Sequence, residues 1–123
     1  MKHFAKIENN IISQIIAIED SDCNGLDFPN SETVGKQYIE NIGLTGDWIE
    51  TSITGLFRQR YAWIGGSYNS EFNCFVNPQP YPSWIMNNFG EWDAPVPYPT
   101  DAGEHDVYTW NEENLAWEFQ FSN

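Results

Sequence analysis

Tyr68-Asn69-Ser70-Glu71-Phe72-Asn73-Cys74-Phe75, Trp84-Ile85-Met86-Asn87-Asn88-Phe89-Gly90-Glu91-Trp92 and Trp110-Asn111-Glu112-Glu113-Asn114-Leu115-Ala116-Trp117 follow one plan: an aromatic residue, a polar turn, and a second aromatic seven or eight residues on. Asn, Glu and Gly between rings at that spacing predict two short strands joined by a tight turn, with the rings meeting as a cross-strand pair. The first two stretches also end alike, in Phe75-Val76-Asn77-Pro78-Gln79-Pro80-Tyr81-Pro82 and Trp92-Asp93-Ala94-Pro95-Val96-Pro97-Tyr98-Pro99. Six of the seven prolines lie in those two connectors, at alternate positions. A proline ring fixes φ and removes a donor, so the connectors are expected to run extended between hairpins and not inside a sheet. Residues 67–123 therefore read as a string of aromatic hairpins.

Upstream the pattern changes. His3-Phe4-Ala5-Lys6-Ile7, a turn at Glu8-Asn9-Asn10, and Ile11 to Ile18 read as a hairpin, because Ile and Phe favour strands and paired Asn tolerates positive φ. Glu19 to Pro29 reads as a polar loop. Asn30 or Ser31 caps a helix expected to run to Asn41 or Ile42, with Val34, Tyr38 and Ile42 on its apolar face, Gly35 as a weak point and Gly43 as the stop. Asp47 to Ser52 and Arg58 to Ala62 read as short strands around a turn at Thr54-Gly55. The fold class is α+β, mainly β, with a small α+β unit over residues 1–66 followed by the hairpin string.

Composition excludes several functions. Five Lys and Arg stand against eighteen Asp and Glu, a net charge of −13 in 123 residues, and every fixed charge from Tyr61 onward is negative. Proteins that neutralise nucleic-acid phosphates or anionic lipid gather Lys and Arg on one face, so neither nucleic acid nor membrane is expected as a partner. The apolar runs are far below the roughly 20 residues that span a bilayer. The first residues lack an apolar stretch before a small-residue cleavage site, so no signal peptide is expected. Twenty of the residues are aromatic, which argues against disorder despite the charge.

No catalytic motif is present. There is no Gly-rich phosphate loop, no GxSxG and no HExxH, and the two histidines are His3 and His105. Cys74 with His105 is the one Cys/His pairing in the second half, and nothing in the spacing brings them together. Cys23 and Cys74 form no CxxC pair and read as buried small hydrophobes or idle thiols, with a disulfide between them left open. Asp101-Ala102-Gly103-Glu104-His105-Asp106 is the best calcium candidate, through Asp101, Glu104 and Asp106, but it lacks EF-hand spacing and reads first as a solvated linker between hairpins. Otherwise no cofactor is expected. The candidate partner or ligand contacts are Tyr68, Phe75, Tyr81, Trp84, Trp92, Tyr98, Trp110 and Trp117, which serve either as the core of small hairpins or as an exposed platform for a sugar face or a protein pocket.

Phe4-Ala5-Lys6-Ile7 with Ile11 to Ile18, Trp48-Ile49-Glu50-Thr51-Ser52, Phe57-Arg58 to Tyr61-Ala62 with Ile64-Gly65, Pro80-Tyr81-Pro82-Ser83-Trp84, Trp92-Asp93-Ala94-Pro95-Val96-Pro97-Tyr98-Pro99 and Tyr108-Thr109-Trp110-Asn111-Glu112 to Trp117 resemble small acidic virion structural proteins of tailed phages of marine bacteria, cyanophages among them. The resemblance covers nearly the whole chain in order. The chain departs from it at Ala62 to Gly66, where Gly is expected in place of Trp63, and at Asn88-Phe89-Gly90. The resemblance implies a particle component without catalytic residues, made in the host cytoplasm and located in the virion. Its partners would be other capsid or tail proteins and further copies of itself, trimeric assembly being one form. The expected place is the capsid surface, as a decoration (cement) protein. Two alternatives are a tail-fibre or neck component binding host glycans through Trp and Tyr, and an intracellular acidic mimic of DNA.

Overall fold

The computed structural model describes residues 1–122. β1 (Lys2–Glu8) and β2 (Ile11–Ile18) form the N-terminal hairpin, with Glu8 paired to Ile11 across Asn9-Asn10. Both asparagines have positive φ, 51° and 66°. Successive left-handed residues give a turn whose twist matches that of the strands, and Asn tolerates that conformation at low cost. β3 (Asp47–Thr51) pairs antiparallel with the other edge of β1, from His3 opposite Thr51 to Ile7 opposite Asp47, giving the order β2-β1-β3.

The central strand explains the layering. Phe4 and Ala5 are adjacent and both fully buried, and adjacent strand residues point to opposite faces, so both faces of β1 are covered. On one face Phe4 packs with Ile18, Cys23, Ile39 and Trp48, under α1 (Asn30–Asn41) and the 3-10 turn Asp20–Cys23. On the other, Ala5 packs with Ile12, Ile49, Ala62 and Phe75. Phe75 lies on β5 (Cys74–Val76), which pairs with β4 (Ser67–Asn69).

The first aromatic hairpin is thus part of the first unit's core, and that unit runs to Pro78, not to residue 66. The composition change at Gly66 marks where the turns multiply, and the core continues past it. The Gly66 N–H also sits in a tight bend, donating to the Trp63 carbonyl at 2.8 Å, while the Gly66 carbonyl accepts from Ile12 N–H at 2.8 Å and so covers the free edge of β2.

The helix departs from its expected face. Ser31, Gly35 and Ile39 are buried, whereas Val34 and Tyr38 are half-buried and Ile42 is exposed. Packing decides this: a Cβ placed on Gly35 would lie 2.2 Å from Phe4 Cζ, so the helix can approach the sheet only along its smallest side chains. Pro29 occupies the N-cap position, and the Ser31 hydroxyl donates to Glu50 at 2.6 Å instead of capping. Gly43, at φ 91°, follows the helix as expected.

Arg58 to Ala62 is not a strand. Arg58 and Gln59 have positive φ, 56° and 69°, and the Ala62 N–H donates to the Thr51 hydroxyl at 2.8 Å and not to a ladder carbonyl. The reason lies in the side chain of Arg58, whose guanidinium reaches Glu32 on α1 and the Glu50 carbonyl on β3 and draws the backbone out of any sheet.

The second unit starts at Gln79. It holds β6 (Ile85–Met86) with β7 (Trp92–Asp93), and β8 (Asp106–Asn111) with β9 (Ala116–Ser122), both pairs antiparallel. The proline-bearing parts of the connectors, 77–82 and 94–99, carry neither strand nor helix. The fold is α+β, mainly β: small antiparallel hairpins and one helix. Both cysteines are free and fully buried within the first unit.

Candidate functional site

In the second unit the aromatic residues are organised around β8 and β9. Trp110 faces Trp117 across the strands as the spacing predicts, with ring centroids 5.3 Å apart at 70°. Trp84 does not pair with Trp92, because Asn87 closes a tight turn, its side-chain oxygen accepting from Phe89 N–H and Glu91 N–H, and the short strands set Met86 opposite Trp92. Trp84 instead packs edge-on against Trp110 at 5.9 Å and Trp117 at 6.0 Å. Tyr81 lies on Trp84. From Trp117 the ring contacts continue through Tyr98 at 5.0 Å to Tyr108 at 5.7 Å and Phe119 at 5.5 Å. Steeply inclined rings set positive edges against negative faces, each pair worth about 0.5–1.5 kcal/mol beyond burial.

Polar contacts hold this array. The Ser83 hydroxyl and N–H and the Trp110 indole N–H all donate to the Glu112 carboxylate, at 2.6, 3.0 and 2.8 Å. Those hydrogen bonds, Ser83 first, hold the Glu112 carboxyl below its ordinary range. The Trp117 indole N–H donates to the Val96 carbonyl at 2.8 Å, fastening the second proline connector to β9. The Trp84 indole nitrogen is buried with no hydrogen-bond partner.

Trp84, Trp92, Asp93, Pro97, Tyr98 and Trp117 are among the residues that line an open groove of about 480 Å³, within the size range of small-ligand sites. Of the contacts expected from sequence, Trp84, Trp92, Tyr98 and Trp117 are gathered there. Tyr81 stands behind Trp84, and Trp110 is core at 9% exposure. Phe75 and Tyr68 lie apart from the groove, in the first unit: Phe75 is buried in its core and presents no contact surface, and half-buried Tyr68 packs against it. Asp93, Pro97, Tyr108 and Phe119 join this array beyond the contacts expected from sequence. Tyr108 and Phe119 stand two residues from Trp110 and Trp117, and strand periodicity carries that signal.

The calcium candidate does not assemble. Asp106 accepts from the Gly103 N–H at 2.8 Å, closing its own loop, and among the described residues no three His, Cys, Asp or Glu side chains are grouped to hold a metal ion. Cys74 is fully buried, out of reach of any substrate.

A second polar cluster lies in the first unit. The Arg58 guanidinium is held by the Glu32 carboxylate and sits over the rings of Phe28, 4.9 Å away, and Tyr68, 5.3 Å away. Burial pushes the Glu32 carboxyl up, but hydrogen bonds from Arg58 and the Glu50 N–H and the Arg58 charge outweigh it, leaving it below its ordinary value. Glu50, 2% exposed, is shifted up by burial, only partly offset by the Ser31 hydrogen bond and the Lys2 charge.

A raised folded-state value means that ionising Glu50 costs more in the fold than in the unfolded chain. Its contribution therefore falls as pH rises from the unfolded value through the folded one. Glu50→Gln keeps an acceptor for Ser31 and is expected to be more stable than the parent at neutral pH, by on the order of 1 kcal/mol. The difference should vanish below the carboxyl's unfolded range. Urea titrations at acid and neutral pH check this; a variant less stable at neutral pH would show that the negative charge is needed there.

No protein-family model matches this chain, and it has no significant match among curated proteins or solved structures.

Proposed function

We propose that the protein is a non-enzymatic structural component of a phage virion, seated on the capsid surface as a decoration protein, contacting other virion proteins and assembling with copies of itself. The observation that carries the reading is the ring array Tyr98, Tyr108 and Phe119, with Tyr98 and Phe119 about half exposed; Phe121, set opposite Val107 past a register shift in β9, is equally exposed. Large apolar rings left this exposed on a two-stranded ribbon call for a covering surface. The acidic surface, with its bias against phosphate backbones, suits a protein that must stay clear of packaged DNA. The motif resemblance supports a virion component. The reading requires no cofactor.

The test is electron microscopy of particles with an antibody against this protein. Label over heads is expected, and Phe119→Ser/Phe121→Ser should lower incorporation at least about tenfold, the loss expected when anchors worth over 1.4 kcal/mol are removed. Absence from every particle would overturn the reading. Label confined to tails or fibres would favour a second one, recognition of host glycans, for which the groove beside Trp92 and Tyr98 offers stacking faces.

A further inference from the structure

We propose that the groove lined by Trp84, Trp92, Asp93, Pro97, Tyr98 and Trp117 binds a cationic side chain, arginine above all, presented by an extended basic segment of a protein partner. The inference concerns the ligand chemistry of this site and holds whether or not the protein is a virion component.

Ring geometry comes first. Trp117 is inclined at 62° to Trp84 and 73° to Tyr98, with centroids 6.0 and 5.0 Å away, so the lining offers aromatic faces in more than one direction. Aromatic faces carry the negative lobes of the ring quadrupole and attract cations placed over them, tryptophan most strongly. The hydrogen bond from Trp117 to the Val96 carbonyl fixes one wall before any ligand arrives.

Charge decides between a cation and a neutral ligand of similar shape. Asp93 is part of the lining, and Asn87 Nδ2 donates to its Oδ2 at 3.2 Å. A carboxylate has about four lone-pair sites, so Asp93 keeps capacity for an incoming donor. From Gln79 onward the sequence carries eight Asp and Glu and no Lys or Arg. A groove set in a field of one sign concentrates ligands of the other. A sugar would use the ring faces and donate a hydroxyl to Asp93, but, being neutral, it gains nothing from the surrounding field.

The chain itself shows that this combination holds arginine. In the first unit, Arg58 lies over Phe28 and Tyr68 while its guanidinium pairs with the Glu32 carboxylate. Two rings and a carboxylate are joined there by the Glu50 carbonyl and Asn73 Oδ1 as acceptors, and the groove offers more rings and a carboxylate with no cation of its own chain nearby in sequence. The planar guanidinium stacks and forks onto carboxylates in a way an ammonium does not, which favours arginine over lysine.

The decisive experiment titrates the full-length, 15N-labelled protein with a capped Gly-Arg-Gly peptide, with its citrulline counterpart, and with a neutral oligosaccharide, following the tryptophan indole signals. Citrulline keeps the planar shape and removes the charge. The expected result is saturable movement of the Trp92 and Trp117 signals by the arginine peptide, with those of Trp48 and Trp63 unmoved, and binding at least about fivefold weaker for citrulline. Asp93→Asn, which keeps the side chain's size, should weaken arginine binding about threefold and flatten its salt dependence. Equal binding of arginine and citrulline, tighter binding of the oligosaccharide, or no movement up to about 10 mM peptide would each overturn the proposal.

Discussion

Gly35→Ala is expected to destabilise the first unit by about 2 kcal/mol, against the direction that helix propensity alone dictates. Alanine inside a helix is favoured over glycine by roughly 1 kcal/mol, and α1 is exposed along much of its outer surface. The added methyl, however, would stand 2.2 Å from Phe4 Cζ, 2.7 Å from Phe4 Cε1 and 3.1 Å from Cys23 Sγ. Phe4 and Cys23 are both fully buried, so neither has space to yield into. Either the helix lifts from the sheet or the ring leaves its rotamer, and overpacking of this sort costs typically 1–3 kcal/mol and sometimes more. Phe4→Leu shortens the opposing side chain. Combined with Gly35→Ala it should lose less stability than the two single changes added together, a coupling visible in urea midpoints. A higher midpoint for Gly35→Ala alone would mean that the helix and sheet are not in the close contact described.

Trp110→Ala should be the most damaging change in the second unit, at about 3–5 kcal/mol. Trp110 is 9% exposed, packs against Trp84 and Trp117, and donates its indole N–H to Glu112. Its removal leaves a cavity between two tryptophans and takes one of the donors that hold the Glu112 carboxylate. A unit of this size draws only about 3–5 kcal/mol from its core, so the loss equals what is there. Loss of dispersion in the amide signals of residues 79–122 would report it. Trp92→Ala, at the half-buried groove wall, is expected to cost about 1 kcal/mol and leave that dispersion intact.

What the sequence made legible was local. Asn9-Asn10 between two apolar runs specifies its own turn, and the hairpin forms around it. The spacing between rings correctly paired Tyr68 with Phe75 and Trp110 with Trp117, because in each case the intervening residues are just enough for a turn and two strand ends. The same spacing failed for Trp84 and Trp92, where Asn87 hydrogen-bonds its own loop and shortens the strands. Long-range partners were not legible. Nothing local tells that β3 returns to β1, that Phe75 fills the far side of the first sheet, or that Arg58 reaches back to Glu32. Each of these is a contact between residues far apart in the chain, and each outweighed a local preference: Arg58's pairing overrode a strand pattern, and Phe4's ring moved the helix by one residue from its apolar stripe.

The groove was half legible for the same reason. The tryptophans announce an aromatic surface, but Asp93 and Pro97 become part of it only through the turn at Asn87 and the tie from Trp117 to Val96.

The two thiols give the chain a built-in reporter. Cys23 and Cys74 lie in the first unit, both fully shielded, and burial, first among its causes, pushes the Cys23 thiol up and away from the reactive thiolate. The second unit has no cysteine. An alkylating reagent therefore reads the breathing of the helix-and-sheet unit alone, Cys23 reporting the helix side and Cys74 the β4–β5 hairpin. Each opening event becomes a mass increment countable on the intact protein, while the tryptophan-rich remainder of the chain stays silent to that chemistry.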